Sequence, residues 1–217
     1  GPTAFRTNDP LGRGRAVFSG GYGSSSPYPE MNVLDMVNIT TEGNAVDFGD
    51  LTVGRSANGM GGSATRGILA GGRFPGPGNA RKDIDFVTFS SSGGANEFGD
   101  LKNEVNSSAA FSDATRAIWS GGYDGNNSPY PRHRDMTFIT IATTGDSSDF
   151  GDCVERGRKD GCFSNKTRGF TVGGNNRIDS PNPNTSHDRI EMTIIQTKGS
   201  TVDFGEFGPD NAGLLTG

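Results

Sequence analysis

Four near-copies of one pattern of about fifty residues run along this chain, and a repeat of that length restricts the fold more than any other feature of the sequence. Arg, an apolar run and Gly-Gly occur together in GRAVFSGG, TRGILAGG, TRAIWSGG and TRGFTVGG, with the arginines at Arg15, Arg66, Arg116 and Arg168, spaced 51, 50 and 52 residues. Phe-Gly-acid occurs at Phe48-Gly49-Asp50, Phe98-Gly99-Asp100, Phe150-Gly151-Asp152 and Phe204-Gly205-Glu206, spaced 50, 52 and 54 residues. Two markers keeping one period define a unit that stacks on its neighbours to bury a shared core.

Between the markers lies a third shared segment, LDMVNITTEG, IDFVTFSSSG, MTFITIATTG and IEMTIIQTKG. Its apolar pairs, Leu34 and Met36, Ile84 and Phe86, Met136 and Phe138, Ile190 and Met192, keep the period-2 alternation of a strand with one buried face. A fourth segment (NGMGG, AAFSD, GCFSN) precedes each later Arg. Each unit therefore offers four antiparallel strands: a before the Arg, b from the Arg into Gly-Gly, c through the alternating segment, and d around Phe-Gly-acid. Gly-Gly supplies the backbone freedom for a sharp exit from strand b. With 35 Gly and 11 Pro but only 31% hydrophobic residues in 217, the composition suits many short strands joined by tight turns.

The expected fold is all-β, a single four-bladed β-propeller with blades over about 10–52, 53–102, 103–154 and 155–207 and a closing strand at 208–217. A ring leaves no open sheet edge only when its first and last blades join. Blade 1 needs a strand a, which either the N-terminal TAFRTN or the C-terminal NAGLLTG supplies. The C-terminal segment, similar to GCFSN, is the preferred candidate, so that the two chain ends pair. An incomplete ring finished by a second chain and an open solenoid are the alternatives.

Four-stranded units ending strand b in Gly-Gly resemble kelch repeats over residues 14–206, with Phe of Phe-Gly-acid standing where kelch repeats carry a Trp near strand d. The repeat is more similar still to one found in structural proteins of tailed bacteriophages, especially marine ones, of the form T-R-x4-G-G, an I-x-x-I-T-I-x-x-T-G-like strand, and D-F-G-D-L. Thr115 to Gly122, Met136 to Gly145 and Asp149 to Asp152 carry that likeness. It implies a place in the virion.

Net charge is −5, from 20 Lys+Arg and 25 Asp+Glu without a basic run, which gives little electrostatic attraction for nucleic acid. No stretch approaches the roughly 20 apolar residues that cross a bilayer, so membrane insertion is not expected and the isolated chain should be soluble. Cys153 and Cys162 have no zinc-type spacing and are read as two free thiols. His133 and His187, the two histidines, sit in no nucleophile or metal motif, and no phosphate-binding or dinucleotide signature exists. The chain is therefore read as non-enzymatic, with no cofactor and no metal. Paired carboxylates for glycan cleavage, such as Glu30 and Asp135, have nothing in the sequence to bring them together.

Groups repeated in every unit serve the blade, so the arginines and acids of the two markers are expected to pair within or between blades, the alternative being a symmetric charged ring at a central channel that would suit ion binding. Departures from the repeat lie in the long b–c loops, GYGSSSPYPEMN, RFPGPGNARKD, YDGNNSPYPRHRD and NNRIDSPNPNTSHD, which share one face. Loops held by a rigid scaffold are where binding usually resides. Units 1 and 3 place all four tyrosines there, Tyr22, Tyr28, Tyr123 and Tyr130, whose rings suit stacking on sugars or protein surfaces. Phe74, Asp124, Arg132 and His133 complete the candidate ligand-binding set. A host-surface glycan or a neighbouring virion protein is the expected partner of a monomer or homo-oligomer within a virion, and a purely structural decoration or tail-assembly role is the alternative.

Overall fold

The protein is described here from a computed structural model covering residues 3–4, 14–24, 29–74, 80–127, 131–159, 161–176 and 185–208. Among the described residues, sixteen strands form four antiparallel four-stranded sheets, each ordered as the chain runs. The first contains β1 (Thr3–Ala4), β2 (Arg15–Ser19), β3 (Val33–Asn38) and β4 (Val46–Asp50). The second contains β5 (Gly59–Gly62), β6 (Arg66–Ala70), β7 (Arg81–Thr88) and β8 (Asn96–Val105). The third contains β9 (Ala109–Ser112), β10 (Arg116–Ser120), β11 (Asp135–Thr140) and β12 (Ser148–Asp152), and the fourth β13 (Gly161–Ser164), β14 (Arg168–Asn176), β15 (Thr185–Ile194) and β16 (Val202–Glu206). This is the all-β, propeller-like arrangement of four blades that the period requires.

Blade 1 takes its strand a from the N-terminus: Thr3 and Ala4 pair with Ser19 and Phe18 of β2, as β5, β9 and β13 pair with the second strands of their own blades. The N-terminal candidate thus holds the place for which the C-terminal segment was preferred. Residues 209–217, nearly all of the expected closing strand, lie outside the described residues.

One irregularity recurs in every blade and organises the core. Strand d slips by one residue against strand c, at Leu34/Asp35, Ile84/Asp85, Met136/Thr137 and Ile190/Glu191. The residue left unpaired is the Phe of Phe-Gly-acid. A bulge bends its strand and re-aims a side chain, and here Phe48, Phe98 and Phe150 are 2–4% exposed. The clusters that hold them straddle two blades: Phe48 with Leu69, Val87 and Phe89; Phe98 with Trp119, Ile139 and Ile141; Phe150 with Ile195.

The glycine after each bulged Phe follows from the same contact. Gly99 has φ +155°, and a Cβ there would stand 2.5 Å from the backbone of Gly145 in the next blade; Gly151 meets Gly199 in the same way. Across this close approach the next blade's c–d turn donates two backbone hydrogen bonds to strand d: Gly93 and Ala95 to Phe48 and Asp50, Gly145 and Ser147 to Phe98 and Asp100, Gly199 and Thr201 to Phe150 and Asp152. The repeated arginines point the same way. Arg15 donates to the carbonyl of Phe89, Arg66 to those of Ile141 and Ala142, and Arg116 to those of Ile195 and Gln196. They bind carbonyls of the next blade, not the marker acids with which they were expected to pair.

Two buried ion pairs supplement this joint. Arg55, between blades 1 and 2, meets Asp85 of β7 at 3.0 Å, and Lys159, between blades 3 and 4, meets Glu191 of β15 at 2.8 Å. All four side chains are within 1% of complete burial. Glu191 also accepts from the backbone N–H groups of Val154 and Glu155 and from the Thr201 hydroxyl. Burial alone would raise its carboxyl, but Lys159 and these hydrogen bonds outweigh burial and hold it below its usual 4.5. Cys153 and Cys162 are free thiols, and burial pushes that of Cys153 up to about 11.

Breaking a buried pair leaves an uncompensated charge, so Lys159→Met is expected to lower stability by about 3–5 kcal/mol, and Lys159→Met/Glu191→Gln to recover most of that in chemical denaturation. The folded-state carboxyl lies below its unfolded value, so its contribution is complete above pH 4.5 and is lost as pH falls through the folded value. Below pH 4.5 the wild type should therefore lose stability more steeply than the double variant. A Cβ on Gly99 overpacks a backbone contact at a positive φ, and Gly99→Ala should cost about 1–3 kcal/mol in the same measurement.

Candidate functional site

The b–c loops leave their blades at the Gly-Gly pairs, all with positive φ, such as +64° and +102° at Gly71 and Gly72. Tight packing requires glycine there, since a Cβ on Gly71 would stand 2.6 Å from the carbonyl oxygen of Val105. Each connector between blades then pairs with the following loop, Ser56 with Arg73, Asn106 with Tyr123 and Arg158 with Asn175. The loop bases are thus stitched to the scaffold and to one another.

Tyr22 is 52% exposed. It bridges to Glu30 across its own loop, while the Arg73 guanidinium lies 5.9 Å from its ring and within 3.8 Å of Glu30. Tyr123 is half-buried, with the guanidinium groups of Arg132 and Arg158 each 4.5 Å from its ring centre. Burial alone would raise its phenol, but hydrogen bonding with Asn106 and the positive charge of Arg158 and Arg132 bring it below the usual 10.

Asp124 is buried and orders its own loop: its carboxylate accepts from the Asn126 backbone at 2.7 Å and the Asn127 side chain at 2.6 Å. His133 lines a small space of about 10 Å³ with Trp119, Leu101 and Asp135, and its Nε2 is buried without a hydrogen-bond partner among the described residues. Burial holds its imidazole below 6.5 against the pull of Asp135 and Asp124. Tyr28 and Tyr130 lie outside the described residues.

An open cleft of about 580 Å³ lies where the loops of blades 2 and 3 meet. Phe74, Arg81, Lys82, Asp83, Glu104 and Asn126 line it. The Arg81 guanidinium stacks 5.2 Å from the Phe74 ring and pairs with Asp83, and Lys82 meets Asp100 at 2.9 Å. Asn126 spans the blades: its side chain accepts from the Ala80 N–H and donates to the Ala80 carbonyl, both at 2.9 Å, and it also bonds Glu104. Of the six sequence candidates among the described residues, only Phe74 lines this cleft. The run Arg81-Lys82-Asp83 at the start of strand c was the available signal, although blade 3 also carries charge there, at Arg134 and Asp135.

Mixed charge around one aromatic face suits a neutral, polyhydroxylated or zwitterionic ligand better than a polyanion. Among the described residues no group of three or more His, Cys, Asp or Glu could hold a metal ion. Glu30 is tied to Arg73, and Asp135 accepts from Asn103 at 2.6 Å in another blade. Among the described residues no helix is long and apolar enough to cross a membrane.

Neither a protein-family model nor a curated protein matches this sequence. Among solved structures, that of YjhT superposes with a TM-score of 0.72 at 9% identity, covering 96% of this chain and 66% of its own. At that identity the likeness concerns the fold alone. This chain spans 66% of the length of the protein it matches.

Spectrophotometric titration should show Tyr123 ionising below pH 10, and Arg158→Met should raise its midpoint by removing one of the two guanidinium groups that flank its ring.

Proposed function

We propose that this chain is a non-enzymatic binding module, a kelch-like propeller of the virion surface or fibre tip, whose b–c loop face recognises a host glycan or a neighbouring virion protein. The cleft between the loops of blades 2 and 3 carries this reading: it joins an aromatic ring, fixed charges and an amide that bridges two blades, on a scaffold whose repeated parts are spent on blade contacts. The virion setting rests on the likeness of the T-R-x4-G-G and D-F-G-D-L repeats to those of tailed-bacteriophage structural proteins. Tyr22 extends the surface towards blade 1.

A glycan array probed with the isolated chain, beside Phe74→Ala, Lys82→Ala, Tyr28→Ala and Tyr130→Ala, tests the receptor version. Binding that Phe74→Ala weakens at least tenfold supports the cleft. Binding untouched by any of the four substitutions would show that the loop face is not the site. A structural, assembly role is the second reading, favoured by the apolar faces at the two ends of the blade series. Antibody labelling of intact particles distinguishes an outward-facing receptor module from an internal component.

A further inference from the structure

Among the described residues, the apolar, backbone and arginine contacts that join one blade to the next have unfilled counterparts at the two ends of the series. Phe204 of blade 4 is 56% exposed, whereas the equivalent Phe48, Phe98 and Phe150 are at most 4% exposed. Beside it Phe163 is 55% exposed, although its blade 3 counterpart Phe111 is buried at 3%. Arg168 is exposed, while Arg15, Arg66 and Arg116 each reach carbonyls of a following blade. Gly205 keeps the φ of +155° seen at Gly99, yet no described residue lies within 4 Å of where its Cβ would stand. At the other end, Ile39 is 62% exposed, against 2%, 2% and 0% for its counterparts Phe89, Ile141 and Ile195. Asp35, likewise exposed, corresponds to the buried Asp85 and Glu191.

We infer that these two faces are one interface divided between two molecules: blade 4 of one copy docks on blade 1 of a second copy, head to tail. The occupant is specified by the three internal joints, each of which fits the trailing face of one blade to the leading face of the next. In a second copy's blade 1, Ile39 stands where Ile195 covers Phe150. The N–H groups of Gly43 and Ala45 correspond to those of Gly93 and Ala95, which bond strand d of blade 1, and would meet the Phe204 and Glu206 carbonyls. The carbonyl of Ile39 corresponds to the Phe89 carbonyl that Arg15 binds, and would receive Arg168. Such a contact is heterologous, and it continues until the copies close a ring or extend as a chain. It uses the blade ends only and is independent of whatever the loop face binds.

Sedimentation velocity over a concentration series tests this with the whole chain. The wild type should sediment above the monomer mass, increasingly so with concentration until a closed species forms. Ile39→Asp and Phe204→Asp each disable one face at an exposed side chain, and each should remain monomeric with an unchanged circular dichroism spectrum. Mixed together they retain one intact pair of faces and should form a dimer that grows no further. Arg168→Ala, which removes hydrogen bonds without adding charge, should weaken association at least tenfold. A wild type that stays monomeric throughout, including by closing its own ends, or single-face variants that assemble as the wild type does, would overturn the inference.

Discussion

The structure depends on a backbone slip of one residue. Strand d bulges at Phe of Phe-Gly-acid in each blade, and the bulge turns that ring out of its own sheet pairing and into the neighbouring blade. The following glycine lets the next blade's turn come close enough to donate two backbone hydrogen bonds. Apolar burial, backbone satisfaction and side-chain capping by the repeated arginine thus meet in one joint. Among the described residues each buried cluster spans two blades, so stability is built from nearest-neighbour contacts, as in other repeat architectures.

The joints are not interchangeable, however. Between blades 1 and 2 and between blades 3 and 4 a buried base meets a carboxylate on strand c, whereas Thr137 occupies that position in blade 3. There Trp119 fills the joint instead, donating its indole N–H to the carbonyl of Gly59 at 3.1 Å. A Cβ on Gly59 would stand 2.7 Å from that ring, so the indole requires glycine opposite it. Docking the wrong blades would bury Asp85 or Glu191 without a cation, at a cost of several kcal/mol per unpaired ion. The polar residues therefore fix the order of blades that the shared apolar pattern alone would leave degenerate.

Blade number, strand order and the sharp turns at Gly-Gly were legible in the sequence because each follows from period, alternation or backbone freedom, which are local properties. The bulge was not, since Phe48 and its counterparts read equally well as ordinary members of strand d. The role of Arg15, Arg66 and Arg116 was also hidden: a carbonyl acceptor carries no residue identity, and the acids nearby in the pattern were the more visible partners. The connector residues Arg55 and Lys159 lie at offsets of five and seven residues from their Phe-Gly-acid markers, so the period did not single them out. Asp124 was visible as a polar loop residue, but its engagement with Asn126 and Asn127 depends on the turn the loop makes.

The loop face shows the same division at the level of the site. Tyr22 and Tyr123 occupy equivalent positions in the pattern, yet one guanidinium lies by Tyr22 while two flank Tyr123. The difference comes from the connectors: Arg158 follows blade 3 and pairs with Asn175 of the next loop, which brings a second cation back over Tyr123. The cleft lies at one such junction, where blade 2 begins strand c with Arg81-Lys82-Asp83 and the blade 3 loop reaches across through Asn126 to Ala80. On this repeating scaffold the departure from the repeat falls between blades, where two loops that differ in length and charge are held at a fixed distance by joints that do not.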